Sequence, residues 1–246
     1  MSIELSRETL DKYLAELSKQ FRKLYKKAAS AEIVLIGGAS VLINYDFRNM
    51  TTDADAIIYA EASMKEAINF VRDKFNLPHG WLNDDFKNTK SYTEKLRGVA
   101  VYYKTFSNIL QVRTVAAEYL IAMKAMSGRR YKFDLSDIIG ILWEHEKRGE
   151  TISRESIDRA VLELYEHQPI PHISKQLLDD IFTSMDYERI YAETREQEKQ
   201  AKEVLLEFIE EYPNVLDGDN TDDIIAEIMR KKQMSESGLS EKNHNE

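Results

Sequence analysis

The stretch IVLIGGASVLINYDFRNMTTDADAII, residues 33–58, limits what this chain can fold into more than any other. It opens as an apolar strand, breaks at Gly37-Gly38, continues as a short helical pattern, and re-forms a strand carrying Asp53 and Asp55. Residues two apart in a strand project to one face, so the two acids point together while Ala54 turns away. Burying unpaired carboxylates is costly and like charges repel, so something positive is expected beside them.

A hard divalent cation meets that need. Mg²⁺ prefers a couple of carboxylates, several waters and phosphate oxygens to a full protein cage, and Mn²⁺ substitutes for it. The Gly37-Gly38 turn opens directly onto a helix, so backbone N–H groups near Gly38, Ala39 and Ser40 suit an anion. Phosphate on one side and metal carboxylates on the other suit a nucleoside triphosphate. Each piece alone has an ordinary reading: the glycines as a tight turn, D-x-D as a cap or surface pair. The order strand, GG, helix, strand, D-x-D is far more restrictive than either.

Composition narrows the class. The 246 residues are 43% hydrophobic and 31% charged, enough for a core and a soluble surface. There is no cysteine, which excludes disulfides, thiolate zinc sites and a cysteine nucleophile. No apolar run approaches the ~18 residues of a membrane span, and the N-terminus MSIELSRETL lacks a secretory h-region, so a cytoplasmic protein is expected. Charge is uneven: residues 1–132 carry 21 Lys and Arg against 15 Asp and Glu, the remainder 13 against 28. The basic part tolerates phosphates and the acidic part suits a basic partner, although two ordinary solvated surfaces explain the counts equally well.

The periodicity predicts a helix over 6–29 with Ser6 and Thr9 as caps, and a strand in EIVLIGG. A short helix in ASVLINYDF, a strand in TTDADAIIYA and a helix capped by Ser63 follow. Pro78, Gly80 and LNDD read as a loop in which Trp81 packs and Asn83 or Asp84 caps. GVAVYYKTF and NILQVRTV form a hairpin around SN, and two helices follow, closed by Gly128 and Gly149. Beyond them the chain turns helical. The expected fold is α+β, a small mixed β-sheet flanked by helices with a helical C-terminal half. The domain reading is 1–148 for the α/β part, 149–212 for a helical extension and 213–246 for an acidic, partly disordered tail.

The GG and D-x-D order resembles the nucleotidyltransferase superfamily, the polymerase-β-like fold, at Gly37, Gly38, Asp53 and Asp55, with Ser40 offset from the usual serine position. WLNDD (81–85) and ILQVRTVAAEYLIAMKAMSGRRYKFDLSDI (109–138) are similar to a bacterial branch related to AbiEii-type abortive-infection toxins, nucleotidyltransferases of toxin–antitoxin systems. The likeness covers roughly residues 30–145. It implies that Asp53 and Asp55 bind metal, that the triphosphate lies on the glycine turn, that Lys124 contacts it, and that Asp134 or Asp137 completes the site. One departure stands out. Many superfamily members carry a third catalytic carboxylate on a neighbouring strand, and neither hairpin strand here contains an acid.

Several candidates keep a second reading. Lys124 could be a lysine snorkelling at a helix C-terminus, Arg129 and Arg130 a solvated turn or phosphate contacts, and Asp134 a helix cap. The cluster Lys19, Arg22, Lys23, Lys26 and Lys27 reads as a solvated helix face or an RNA backbone contact. His145 has no H-E-x-x-H partner, and no Walker or Rossmann loop is present. The expected activity is metal-dependent transfer of a nucleoside monophosphate from an NTP to an acceptor. The resemblance suggests an RNA acceptor such as tRNA, and a cognate antitoxin-like partner. A small-molecule transferase acting on an aminoglycoside-like cation, or a non-catalytic module binding nucleotide or a partner, are the alternatives.

Overall fold

The computed structural model describes residues 4–24, 30–89, 91–212, 215–216, 221 and 223–231. The helices are α1 (Arg7–Leu24), α2 (Gly37–Asn44), α3 (Ser63–Phe75), α4 (Ala117–Ser127), α5 (Asp134–Lys147), α6 (Arg154–Tyr165), α7 (His172–Ser184) and α8 (Tyr187–Glu211), with a further helical segment at 223–231. The strands are β1 (Ala31–Leu35), β2 (Ala54–Tyr59), β3 (Leu82–Asn83), β4 (Ala100–Phe106) and β5 (Leu110–Val115). They form one mixed sheet, in the order β3-β2-β1-β5-β4. The chain divides into two compact units: Met1–Ser127 with Ile141–Ile170, and Gly128–Gly140 with Pro171–Glu246.

The first unit holds the sheet. Strand β1 pairs antiparallel with β2 and parallel with β5, β2 runs parallel to β3, and β4–β5 is the expected hairpin. Its turn residues Ser107 and Asn108 both have positive φ, 49° and 56°, the backbone that matches the twist of a two-residue hairpin. Alternation divides the sheet residues between faces. Ile33, Leu35, Ala54, Ala56, Leu110 and Val112 share a core with the apolar stripe of α1 and with Met64, Ala67 and Val71 of α3. Asp55 and Ile57 therefore face the other way. Helix α4 packs against α2 and α6.

Local chemistry explains the element ends. The N-terminus of α1 is a reciprocal box: the Ser6 N–H donates to Thr9 Oγ1 at 2.9 Å and the Thr9 N–H to Ser6 Oγ at 3.2 Å. Gly128 and Gly149 follow α4 and α5 with φ of 56° and 72°, which glycine adopts at no steric cost. The extension of the first helix through 25–29, with Lys26 and Lys27, lies outside the described residues, as does the tail at 232–246.

Two expectations need correcting. Ser63 does not cap α3; the cap position is Ala62, and the buried Ser63 hydroxyl has no hydrogen-bond partner. The LNDD loop contains a fifth strand, β3, pairing Leu82 with Ala54 and Asn83 with Asp55. Within it Trp81 is buried and donates its indole N–H to the Ile68 carbonyl, and Asn83 accepts from the Asp85 N–H, as expected of anchor and cap.

In the second unit, the N-terminus of α5 is capped from a distance. Glu198 of α8 accepts the N–H of Leu135 at 2.9 Å and of Ser136 at 3.3 Å. Arg195 adds a hydrogen bond to Ser136 Oγ at 3.2 Å and stacks its guanidinium 3.7 Å from the Phe133 ring centroid.

Candidate functional site

The glycine turn and the acid strand meet at backbone level. The Ile36 N–H donates to the Asp55 carbonyl at 3.0 Å, which fixes the residue before the turn beside the second acid. Gly37 has φ +52°, and a Cβ placed there would lie 3.6 Å from Asp55 Oδ2. Turn and carboxylate are thus neighbours. Asp53 sits immediately before the first residue of β2, and both acids are half-buried while Ala54 and Ala56 are buried on the opposite face.

Helix α2 begins without a side-chain cap. Its N-cap, Ile36, is extended, and the first helical bond runs from the Ser40 N–H to the Ile36 carbonyl at 3.2 Å. The N–H groups of Gly37, Gly38 and Ala39 precede that bond and so lack an intrahelical acceptor, leaving donors and a positive dipole end at the turn.

Gly38 has a second, steric role. A Cβ there would stand 2.8 Å from Thr51 Oγ1 and 2.9 Å from Arg48 Nη2, so these two side chains occupy the space above the turn. Arg48 also donates from Nε to the Met50 carbonyl at 3.3 Å, and Thr52 Oγ1 donates to Asp53 Oδ1 at 3.4 Å. Sequence reasoning missed Arg48 and Thr51. The only signal was an arginine and a threonine shortly before the first acid of a D-x-D.

The other expected residues fall as follows. Ser40 is fully buried and its hydroxyl accepts the Val115 N–H at 3.2 Å, tying α2 to the end of β5. Lys124 lies on α4 and is 3% exposed, which counts against a surface lysine that only snorkels to solvent. Arg129 and Asp134 belong to the second unit and pair with each other, Nε to Oδ2 at 2.9 Å. Asp137, 1% exposed, stands one turn into α5. His145 bonds the Tyr45 hydroxyl at 3.1 Å, closing the C-terminal side of α2, and the Asp46 N–H donates to Glu144 at 3.0 Å.

Glu198, also missed from sequence, caps α5 within the second unit. Burial is the main cause that pushes its carboxyl up to about 7, with the charges of Asp137 and Asp134 adding to it and the α5 N–H bonds opposing it.

Among the described residues, no group of three or more His, Cys, Asp or Glu side chains is placed to hold a metal ion. The donor set at the turn is the Asp53–Asp55 pair. That pair fits a cation that takes its remaining ligands from water and phosphate, and does not fit one needing a full protein cage. A groove of about 500 Å³ runs beside β3, with Asn83, the register neighbour of Asp55, in its wall.

A mixed sheet flanked by helices, with a strand–glycine turn–helix leading to an acid strand, is a nucleotidyltransferase-like α+β fold. Residues 12–143 match the model of a family described as "nucleotidyltransferase of unknown function (DUF6036)", and the chain belongs to that family. No curated protein and no solved structure matches it. Among the described residues, no helix is long and apolar enough to cross a membrane.

Proposed function

We propose that this nucleotidyltransferase moves a nucleoside monophosphate from an NTP to a hydroxyl acceptor, with release of pyrophosphate, in a Mg²⁺- or Mn²⁺-dependent reaction. The observation that carries this reading is the contact between the Gly37 turn and Asp55, tied by the Ile36 N–H. Asp53 and Asp55 would hold the cation, which when bound supplies charge neutralisation at the triphosphate. The uncapped N–H groups of Gly37, Gly38 and Ala39 bind phosphate oxygens, and the Arg48 guanidinium above Gly38 adds a fixed positive charge. Lys124 neutralises developing charge; Asp134 and Asp137, which the sequence resemblance adds to the site, belong to the second unit.

The sequence resemblance to AbiEii-type toxins supports an RNA acceptor and an antitoxin-like partner, and the lack of an apolar membrane-length run among the described residues fits a cytoplasmic setting. A second reading, a module that binds nucleotide without turning it over, draws on the absence of a third acid near the pair among the described residues. Incubating the protein with each labelled NTP, Mg²⁺ or Mn²⁺ and total RNA tests the proposal. Label entering RNA with the native protein and not with Asp53→Ala/Asp55→Ala is expected. Tight NTP binding without transfer to RNA or to small hydroxyl compounds favours the binding module.

A further inference from the structure

The second unit contains an open cavity of about 370 Å³, lined by the turn before α5, the start of α7, the middle of α8 and the helical segment at 223–231. We propose that this cavity is a second ligand site, for a small organic phosphate of nucleoside-monophosphate size. It shares no residue with the glycine turn or the acid strand, so the inference stands apart from the proposed transfer reaction.

The second unit, residues 128–140 and 171–246, carries 21 acids against 12 Lys and Arg, yet Arg130 and Arg230, one hundred positions apart in sequence, both line this one cavity. A guanidinium presents a planar fork of donors that matches phosphate oxygens two at a time, and two guanidinium groups balance the charge of a monophosphate. Glu198, the one acid in the wall among the described residues, does not oppose this. Its two carboxylate oxygens accept the Leu135 and Ser136 N–H groups, so its charge faces the N-terminus of α5.

Shape and polarity also fit such a ligand. The volume lies at the small end of the range for ligand pockets, with room for one ring system and one phosphate. Leu135 and Met229 supply apolar surface for the ring. Gln197 and Gln200, three apart on α8, bring two carboxamides to the cavity, and each offers both a donor and an acceptor to a heterocycle edge. Gln200 uses one N–H on Glu196 at 3.4 Å, which orients its amide.

The test uses the full chain carrying Asp53→Ala and Asp55→Ala, in EDTA, so that the acid-strand site is silent. AMP, adenosine and inorganic phosphate are titrated separately by calorimetry. AMP is expected to bind, adenosine and inorganic phosphate at least about tenfold more weakly, because each lacks one half of the contacts. Arg230→Gln is expected to weaken AMP about tenfold or more; Arg230 is exposed on its helix, so the substitution leaves the core intact. Arg130→Gln acts in the same direction. No AMP binding, AMP binding indifferent to Arg230→Gln, adenosine binding as tightly as AMP, or inorganic phosphate matching AMP would each overturn the proposal. Because the acid pair is already removed, none of these outcomes bears on nucleotidyl transfer.

Discussion

At the scale of single residues, the two glycines of the turn do different things, and substitution separates them. Gly37 needs its left-handed backbone, φ +52°, which costs an alanine about 1–2 kcal/mol. Gly38 is kept small by Arg48 and Thr51, whose side-chain atoms lie 2.9 and 2.8 Å from where a Cβ would be. Gly38→Ala must push the Arg48 guanidinium off the turn. The expected result is at least a ~tenfold loss of Mg²⁺-NTP affinity with a stability change below about 2 kcal/mol. Equilibrium titration and urea unfolding of the same variant check both halves; unchanged affinity would remove Arg48 from the site. The glycines and acids were legible in sequence because their order along the chain is the geometry. Arg48 was not, since nothing in YDFRNM says the loop folds back over Gly38.

At the scale of elements, helix ends were legible only where the cap is local. The Ser6–Thr9 box is three residues wide and visible in the sequence, and Ser6→Ala is expected to cost about 1 kcal/mol in urea unfolding. The cap of α5 comes from Glu198, more than sixty residues downstream in a charged run that reads as plain surface. Strand β3 was missed because two residues show no alternation; only pairing with Ala54 and Asp55 makes them a strand. Glu198 also sets a pH dependence. The folded protein holds its proton up to about pH 7, whereas an unfolded carboxyl releases it near 4.5. The folded state thus binds more protons across that window, so stability falls as pH rises from about 4.5 through about 7 and levels off above, by on the order of 1–3 kcal/mol. Glu198→Gln keeps a carbonyl acceptor for the α5 N–H groups and is expected to flatten this slope. Parallel stability curves for the variant and the native protein between pH 5 and 8 would contradict the assignment.

At the scale of the whole molecule, the sheet with its glycine turn and acid pair lies in one unit, and Asp134, Asp137 and Glu198 lie in the other. The division falls inside α5 and the first unit continues to Ile170, because α6 packs on α4, burying Ile157, Ala160 and Leu164, and Tyr165 donates to the Ser91 carbonyl at 2.7 Å. A fragment ending at 170 is therefore expected to unfold cooperatively and several kcal/mol more stably than one ending at 148, by the apolar area that α6 covers. Equal urea midpoints would contradict that. The central claim is that the turn and the acid pair together hold a metal-bound triphosphate. Calorimetric titration of a non-hydrolysable NTP analogue, with Mg²⁺ and with EDTA, into the native protein and into Asp55→Asn tests it most directly. Binding is expected to need Mg²⁺ and to fall by about a hundredfold or more in the variant. Binding of equal strength in EDTA, or in Asp55→Asn, would contradict it.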